Sequence, residues 1–246
     1  MGKPTALVVG VGAEEGVGAA VCRRFAAEGY HVVVAGRTPA KIDKVVESLL
    51  TAGGSGEARV ADATQEDQVI ALFDHAMALG DGFEPLDVVV FNAGDNRPVP
   101  FREVTAELFE AFWRVGCFGG FLVGREAARR LAPLGRGTVI FTGASGSLRG
   151  KAGYAQFAAA KAGLRMISQS MAREFGPLGL HVAHVVIDGG INGARLKGGV
   201  PGIVEARGKD GLLNVDPIAE TYWQIHRQHP SAWTQEVDLR PYKEVF

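Results

Sequence analysis

Residues 6–18 read ALVVGVGAEEGVG, and this stretch decides the fold of the chain. An apolar run at 6–9 is followed by Gly12, Gly16 and Gly18, after which the sequence continues in a helical pattern. In a strand–turn–helix unit, the first glycine permits a tight turn, the second lets backbone approach a diphosphate, and the third lets the helix pack on the strand. Amide groups at the helix N-terminus then face the negative charge. The stretch therefore predicts a dinucleotide-binding turn.

The rest of the chain repeats this alternation of strand and helix. Short β-branched, strand-like runs occur at 6–9, 31–35, 57–61, 86–91, 138–142 and 180–187, and a further short strand is predicted near 234–239. Helical patterns lie between them, near 16–28, 39–50, 65–79, 105–131, 152–175 and 217–228. Continuous apolar strands separated by helices indicate a parallel sheet that is covered on both faces. We therefore expect an α/β fold of the doubly wound (Rossmann) class, with a parallel seven-stranded sheet and helices on both faces.

Length and composition favour a single domain. The chain has 246 residues, of which 47% are hydrophobic, enough to bury one sizeable core. We expect residues 1–246 to form one dinucleotide-binding domain. The segment 189–215 is long, rich in glycine and only weakly periodic, which is typical of a disordered insertion or of a lid. We interpret it as a flexible, mostly hydrophobic lid over a substrate.

Charge and cysteine content exclude several classes of protein. The formal net charge is −1, so nothing indicates a nucleic-acid or membrane-surface partner, and the apolar runs are too short to span a membrane. Cys22 and Cys117 are the two cysteines and both lie in helical patterns, which makes a disulfide framework improbable and favours a reducing cytoplasm. His226 and His229 lack a neighbouring cysteine or carboxylate cluster, so we expect no metal site.

The residue after the second strand indicates which dinucleotide binds. Enzymes that use NAD commonly carry Asp or Glu at this position for the ribose 2′-hydroxyl, whereas this chain has Arg37, which suits a 2′-phosphate. Glu14 and Glu15 in the first turn argue mildly the other way, unless they point outward. We predict that the cofactor is NADP(H). The alternative reading of Arg37 is a solvated surface charge.

With these residues in place, the chain resembles the short-chain dehydrogenase/reductase family over nearly its whole length. The residues that match the family's cofactor-binding positions lie in five places along the chain. They are Gly12, Gly16, Val17 and Gly18 in the first turn; Asp62 and Ala63 after the third strand; Asn92, Ala93 and Gly94 after the fourth; Lys161 in the long helix; and Asp188, Gly189 and Ile191 after the sixth strand.

The resemblance also implies a role for several of these residues. Asp62 would contact the adenine amine, Lys161 would hold the nicotinamide ribose, and the backbone amide of Ile191 would lie near the carboxamide. The family's helices at the positions of 105–131 and 152–175 commonly pair across a two-fold axis. The resemblance therefore implies a homodimer or homotetramer.

The positions that carry the family's chemistry differ in this chain. Phe157 occupies the place of the proton-donating tyrosine, four residues before Lys161. Ala144 occupies the place of the substrate-orienting serine, and Gly116 that of the helix asparagine that completes a water relay. Of the family's four catalytic residues, the resemblance leaves only Lys161. Phenylalanine has no hydroxyl group, so another group would have to supply the proton.

Three residues could replace the missing donor. Tyr154 lies seven residues before Lys161, almost two helical turns, and is either the donor or a packing aromatic. Ser145, next to Ala144, is either the substrate-orienting hydroxyl or a turn residue, with Thr142 and Ser147 as weaker substitutes. Asp188 replaces the family's proline and is either an acid near the carboxamide or a turn cap.

Two functions are compatible with these observations. The first is an NADP(H)-dependent oxidoreductase that transfers hydride between the nicotinamide and a small, mostly apolar carbonyl, enone or imine substrate, with Lys161, Tyr154 and Ser145 as the catalytic residues. The alternative is a catalytically silent NADP(H)-binding protein that acts as a sensor or as a partner subunit. A turnover screen with NADPH would discriminate between them.

Overall fold

Valine-rich apolar segments form the strands of a single central sheet in the computed structural model, which describes residues 2–244. The strands are β1 (Lys3–Val9), β2 (His31–Gly36), β3 (Ser55–Val60), β4 (Phe83–Phe91), β5 (Thr138–Thr142), β6 (His181–Ile187) and β7 (Glu236–Leu239). The strand order is β3-β2-β1-β4-β5-β6-β7, and every neighbouring pair is parallel. The chain thus runs outward in both directions from β1, as a doubly wound fold requires.

Helices connect the strands and cover both faces of the sheet. The helices are α1 (Val17–Ala27), α2 (Pro39–Thr51), α3 (Glu66–Met77), α4 (Ala106–Trp113), α5 (Gly119–Leu131), α6 (Ala155–Phe175), α7 (Ala194–Gly199), α8 (Ile203–Arg207) and α9 (Val215–His226). One buried cluster includes Phe25, Tyr222 and Trp223 from α1 and α9, and the other includes Phe73, Leu122 and Leu164 from α3, α5 and α6. These two layers bury opposite faces of the same strands. The predicted α/β doubly wound sheet of seven parallel strands is confirmed.

Two helical predictions differ from the structure. The pattern at 105–131 predicts one helix, but a π-helical segment (Arg114–Phe118) separates α4 from α5. The pattern at 152–175 predicts a start at 152, whereas α6 starts at Ala155 and Tyr154 is its N-cap residue. Gly153, with φ +79°, is in the left-handed region that helices do not use, which explains the later start.

The glycine-rich segment 189–215 has more structure than its sequence predicts. It contains α7 and α8, and Ile191 forms a parallel bridge with Leu213. The backbone amide of Leu213 donates to the Gly190 carbonyl at 2.8 Å, so the two ends of the segment are tied together. This pairing makes the segment a closed loop with a narrow base. Its role as a lid stays a prediction, as does the single domain 1–246.

Candidate cofactor and active site

The residues singled out in the sequence meet at one edge of the sheet. In six of the strands, a candidate position follows the last strand residue by one to three residues. These positions are Gly12, Arg37, Asp62, Asn92, Ser145 and Asp188. Because the carboxyl ends of parallel strands face the same way, the candidates line one crevice.

The tight turn after β1 depends on a glycine that the sequence analysis did not single out. Gly10 has φ +89°, and a Cβ there would lie 2.4 Å from the backbone nitrogen of Ala93. Gly12, to which the turn was assigned, has no positive φ and no neighbouring atom within 4 Å of a Cβ position. The prediction for Gly12 as the turn residue is therefore wrong. Its missing side chain leaves open space instead.

The start of α1 has the features that a diphosphate site needs. Gly16 is the N-cap residue and makes no side-chain cap, so Val17 and Gly18 begin the helix with their amides available. A Cβ on Gly18 would lie 3.0 Å from Asn92 Nδ2 and 3.3 Å from Val11 Cα, so its absence lets α1 pack on the strand end. The open space at Gly12 and the positive end of the helix fit a dinucleotide diphosphate.

Charged residues border this cradle on two sides. Arg37 directly follows β2 and is exposed, and its guanidinium makes no hydrogen bond or ion pair with the chain within residues 2–244. Glu15 lies on the other side, where its carboxylate forms an ion pair with Lys197 at 3.0 Å. Glu14 is also exposed. Pairing of Glu15 with Lys197 offsets the negative charge that would oppose a 2′-phosphate.

The loops after β3 and β4 complete the cofactor side of the crevice. One carboxylate oxygen of Asp62 accepts from the backbone and the hydroxyl of Thr64, both at 2.9 Å, and buried Ala63 lies against the start of α5. Asn92 donates through Nδ2 to the Gly10 carbonyl at 3.2 Å and so joins the first and fourth strand ends. Asn92 is thus a connector of the two loops.

Lys161 lies at the other end of the crevice and is almost entirely buried. Its Nζ donates to the Thr142 carbonyl at 2.7 Å, and a Cβ on Gly94 would lie 3.2 Å from the same atom. Burial lowers the pKa of Lys161 to about 8, and the charge of Arg195 acts in the same direction. At neutral pH the side chain is therefore mostly protonated, but it would lose its charge at a pH only slightly higher.

Phe157 and Tyr154 lie next to each other at the start of α6. Their ring centroids are 6.3 Å apart at an interplanar angle of 68°, and Lys151 Nζ lies 5.6 Å from the Tyr154 ring centroid. A Cβ on Gly146 would lie 2.8 Å from the Phe157 ring, so this glycine lets the β5 loop pack on the ring. The Tyr154 hydroxyl has no hydrogen-bond partner within the described part of the chain.

Among the hydroxyls that follow β5, Ser145 is the one left available. Thr142 Oγ1 is bonded to Tyr222 at 2.8 Å, and Ser147 Oγ donates to the Ala144 carbonyl at 2.7 Å. Ser145 begins a 3₁₀ turn, is partly exposed and has no side-chain partner among residues 2–244. The structure therefore removes Thr142 and Ser147 as free hydroxyl groups.

A close helix contact surrounds Gly116 in the π-helical segment. A Cβ at Gly116 would lie 3.1 Å from Ala160 Cβ, and a Cβ at Gly163 would lie 2.5 Å from Cys117 Sγ. The π-helical segment and α6 therefore approach each other through small residues. A longer side chain at position 116 would need the two helices to separate.

Asp188 is not a free acid in this structure. Its buried carboxylate accepts from Arg149 Nη2 at 2.8 and 3.0 Å, and its backbone amide donates to the Leu239 carbonyl. Both carboxylate oxygens are thus engaged by one guanidinium, which argues against the expectation of an acid beside the carboxamide. Gly189 follows with φ +153° and turns the chain into the 189–215 segment towards Ile191.

Sequence reasoning missed the charged residues that tie this segment to the crevice. Arg195 Nη1 donates to the Gly94 carbonyl at 3.3 Å, and Lys197 forms the ion pair with Glu15. A Cβ on Gly193 would lie 2.7 Å from the Glu15 carbonyl. Three residues of the segment thus contact both sides of the cofactor crevice. The segment carries four cations, Arg195, Lys197, Arg207 and Lys209, and nothing in the sequence indicates that the first two contact the crevice.

The described residues also bear on a membrane span and on a metal site. No helix within residues 2–244 is both long enough and apolar enough to cross a bilayer. Over the same residues, no group of three or more His, Cys, Asp or Glu side chains could hold a metal ion.

Comparison with known proteins places this geometry in a family. A model described as short chain dehydrogenase matches residues 5–197. The uncharacterized oxidoreductase YuxG of Bacillus subtilis (strain 168) is 32% identical over 190 residues, which cover 76% of this chain but only 27% of that protein. Cis-4-hydroxycyclohexanecarboxylate dehydrogenase of Sinomonas cyclohexanicum is 32% identical over 177 residues, which cover 72% of this chain and 70% of that protein.

A solved structure extends the similarity to the whole chain. The crystal structure of a short-chain dehydrogenase from Rhodopseudomonas palustris has 39% sequence identity and a TM-score of 0.82, and the match covers 97% of this chain and 99% of that one. The family model, the sequence relatives and this structure agree. The chain therefore belongs to the short-chain dehydrogenase family, whose members are oxidoreductases that bind a nicotinamide cofactor.

Proposed function

We propose that the protein is an NADP(H)-dependent oxidoreductase that transfers a hydride between the nicotinamide and a small, mostly apolar carbonyl, enone or imine. One observation carries the proposal: the open cradle at Gly12 and the α1 N-terminus lies between Arg37, which has no partner among residues 2–244, and the buried Lys161. A dinucleotide needs a diphosphate site with a sugar site at each end. Arg37 fits a 2′-phosphate, and Lys161 fits the second ribose.

The chain's own residues would bind and orient this cofactor. Gly12, Gly16, Val17 and Gly18 would bind the diphosphate, and Asp62, Ala63, Asn92, Ala93 and Gly94 would line the adenine and ribose sites. Asp188, Gly189 and Ile191 would form the wall beside the carboxamide. When bound, the cofactor supplies or accepts the hydride.

Proton transfer is the part of the reaction that this chain would perform differently. Phe157 lacks the hydroxyl that a donor needs, and we propose that it forms an apolar wall beside the nicotinamide. The hydroxyls of Tyr154 and Ser145 have no partner in the part of the chain that the structure describes, so they are our candidates for the donor and the substrate-orienting group. An enone or an iminium would demand less of such a donor than a ketone, because an enolate accepts its proton from water and an iminium already carries its charge.

The cofactor assignment is tested by calorimetry with NADPH and NADH. We expect NADPH to bind more tightly, because one charge-assisted contact contributes about 1.5–3 kcal/mol. Arg37→Ala should abolish this preference, whereas Arg173→Ala, which removes an exposed arginine at the far end of α6, should leave it unchanged. NADH binding at least as tight as NADPH binding to the unaltered protein would reject the assignment.

The oxidoreductase assignment is tested by consumption of NADPH with enones, imines and diketones. We expect Tyr154→Phe to lower turnover by about 10²–10⁴-fold, the usual contribution of general acid catalysis, without changing the affinity for NADPH. Tight NADPH binding without consumption on any substrate would instead favour the silent sensor or partner subunit. The comparisons do not favour that alternative, since the similar proteins are named as oxidoreductases.

We also propose a homodimer or homotetramer in a cytoplasmic setting. Phe109, Trp113, Phe121 and Met166 of α4, α5 and α6 are each 39–51% exposed, and these helices are the ones through which the family's members commonly pair. Sedimentation should show an oligomer, and Trp113→Glu should shift it towards the monomer. A monomeric unaltered protein at micromolar concentration would contradict this assembly.

A further inference from the structure

A polar cluster of one buried histidine and a partly exposed ion pair joins α6 to β6 and β7 near Lys161. His184 on β6 is fully buried, and its Nδ1 is 3.0 Å from Glu236 Oε2 on β7. Arg165 on α6, one helical turn after Lys161, donates to both oxygens of Glu236 at 2.7 Å. Buried polar groups of this kind are expensive unless they are satisfied, so their presence beside a functional lysine needs a reason.

Burial and the neighbouring cations favour a neutral imidazole at His184. The ionisable groups that face it within the described residues are Glu236 from β7, and Lys161 and Arg165 from α6. Arg165 already neutralises Glu236 through two hydrogen bonds, so a charged His184 would stand beside the unpaired cation of Lys161. Burial lowers the pKa of His184 to about 4, although Glu236 acts in the opposite direction.

The pairing with Glu236 also fixes which ring nitrogen carries the proton. A carboxylate only accepts hydrogen bonds, so Nδ1 of the neutral ring must be the donor. Nε2 is then left with a lone pair and no proton. Among residues 2–244 this Nε2 is buried and has no hydrogen-bond partner. The negative end of the imidazole dipole therefore faces the protein interior on the Nε2 side of the ring.

The lone pair lies against the same peptide unit as Lys161. A Cβ on Gly143 would lie 2.2 Å from His184 Nε2, so the ring fills the space that a side chain at position 143 would occupy. Lys161 Nζ donates to the carbonyl of Thr142, the residue bonded to Gly143. The imidazole thus lies beside the Cα of Gly143, the ammonium group donates to the neighbouring Thr142 carbonyl, and the charge of Lys161 helps to lower the pKa of His184.

We propose that His184 is a positioning residue for Lys161: Glu236 fixes its tautomer, and the Nε2 lone pair keeps the buried ammonium charged and oriented at the Thr142 carbonyl. The inference deepens the proposed function, because it takes Lys161 as the cation that holds the cofactor. Loss of the lone pair would leave Lys161 with less to offset its desolvation, so more of it would be neutral at physiological pH.

The decisive measurement is the titration of Lys161 in the protein without cofactor. The ¹³Cε signal of Lys161, assigned through a Lys161→Arg variant, is followed against pH in uniformly labelled protein. We expect a midpoint near pH 8 in the unaltered protein. In His184→Phe the midpoint should fall by about one pH unit or more, and in His184→Gln, which keeps an amide oxygen near Nε2, by less than about half a unit.

His181→Phe is the matched control. His181 is a second buried histidine on β6, stacked on Trp233 with ring centroids 4.7 Å apart, and it pairs with Thr138 at the start of β5, whereas Thr142 ends that strand. We expect His181→Phe to lower thermal stability while leaving the Lys161 midpoint in place. An unchanged midpoint in folded His184→Phe, or an equal shift in His181→Phe, would overturn the proposal.

A second measurement needs no substitution and applies if His184→Phe fails to fold. Long-range ¹H–¹⁵N spectra of the unaltered protein at pH 7 report which ring nitrogen of His184 carries the proton. We expect a protonated Nδ1 and a bare Nε2, and a protonated Nε2 would overturn the proposal. Neither measurement uses a cofactor. Failure of NADPH binding would therefore reject the proposed function without changing the outcome here.

Discussion

Lys161 combines full burial with a positive charge, and this combination has a measurable consequence. Its lowered pKa means that the ammonium loses its proton a short distance above neutrality, while an exposed lysine would remain charged to about pH 10. A neutral lysine donates more weakly to a ribose and adds nothing to the attraction for a phosphate. Lys161 can therefore perform the role proposed for it only at pH values at which it is still protonated, that is, up to about pH 8.

We expect the affinity for NADPH to fall as the pH rises through about 8. If only charged Lys161 binds, the dissociation constant should increase by about tenfold per pH unit above that value. Fluorescence titration between pH 7 and 9.5 measures it. Lys161→Met should bind weakly with no dependence on pH in this range. A constant affinity for the unaltered protein would show that Lys161 does not hold the cofactor.

Single residues also show where sequence reasoning succeeds and where it stops. Positions after strand ends, such as Arg37 and Asp62, were predictable because strand and helix patterns locate them. The partners of side chains were not. Nothing in the sequence indicates that Arg149 holds Asp188 or that His184 lies against Gly143, because these contacts join segments far apart in the chain.

At the scale of elements, two glycines with the same backbone conformation differ in how closely they are packed. Gly10 and Gly29 both have φ +89°. A Cβ on Gly10 would lie 2.4 Å from the backbone of Ala93, where the first and fourth strands end side by side, but a Cβ on Gly29 would meet nothing within 4 Å. A side chain at position 10 would therefore be strained by its backbone conformation and would also clash with Ala93, whereas a side chain at position 29 would meet only the conformational strain.

We expect Gly29→Ala to lower the free energy of unfolding by about 1–2 kcal/mol, the usual cost of a left-handed conformation. Gly10→Ala should add the steric cost of about 1–3 kcal/mol and should also abolish NADPH binding, because the turn must move. Urea unfolding and calorimetry on the two variants provide the comparison. Equal losses of stability in the two variants would show that the backbone near Ala93 can move away from the new side chain without lowering the free energy of unfolding.

Element boundaries were predictable to within a few residues where the apolar periodicity is strong. The strand predicted at 138–142 coincides with β5 (Thr138–Thr142). The prediction failed at the π-helical segment between α4 and α5, because apolar residues continue through it without a glycine–proline break that would mark the end of one helix. The short helices α7 and α8 were missed because glycine-rich sequence has low helical propensity.

For the whole molecule, buried histidines predict instability in acid. Burial lowers the pKa of His31, His181, His184 and His226, so each binds a proton in the unfolded chain before it does so in the fold. Stability that depends on neutral histidine is complete above the unfolded value of about 6.5 and is lost as the pH falls towards the folded value. His184 alone could contribute about 3 kcal/mol to this loss.

We therefore expect the free energy of unfolding to fall steadily from pH 7 to pH 4.5. Urea unfolding at several pH values measures it, and His184→Gln should show a shallower dependence than the unaltered protein. Glu57, Glu126 and Glu236 have lowered pKa values and lose their stabilising pairs only below about pH 4.5, so they do not explain a loss above it. A flat profile over this range would contradict the assigned charge states.

The tight seam between Gly116 and Ala160 has a bearing on protein engineering. A designer who wished to graft the family's full polar set onto this scaffold would need an asparagine where the two helices already touch. An asparagine at position 116 would force the π-helical segment and α6 apart, and Lys161 lies on α6. A substitution at position 116 therefore needs a compensating change at the facing position on α6.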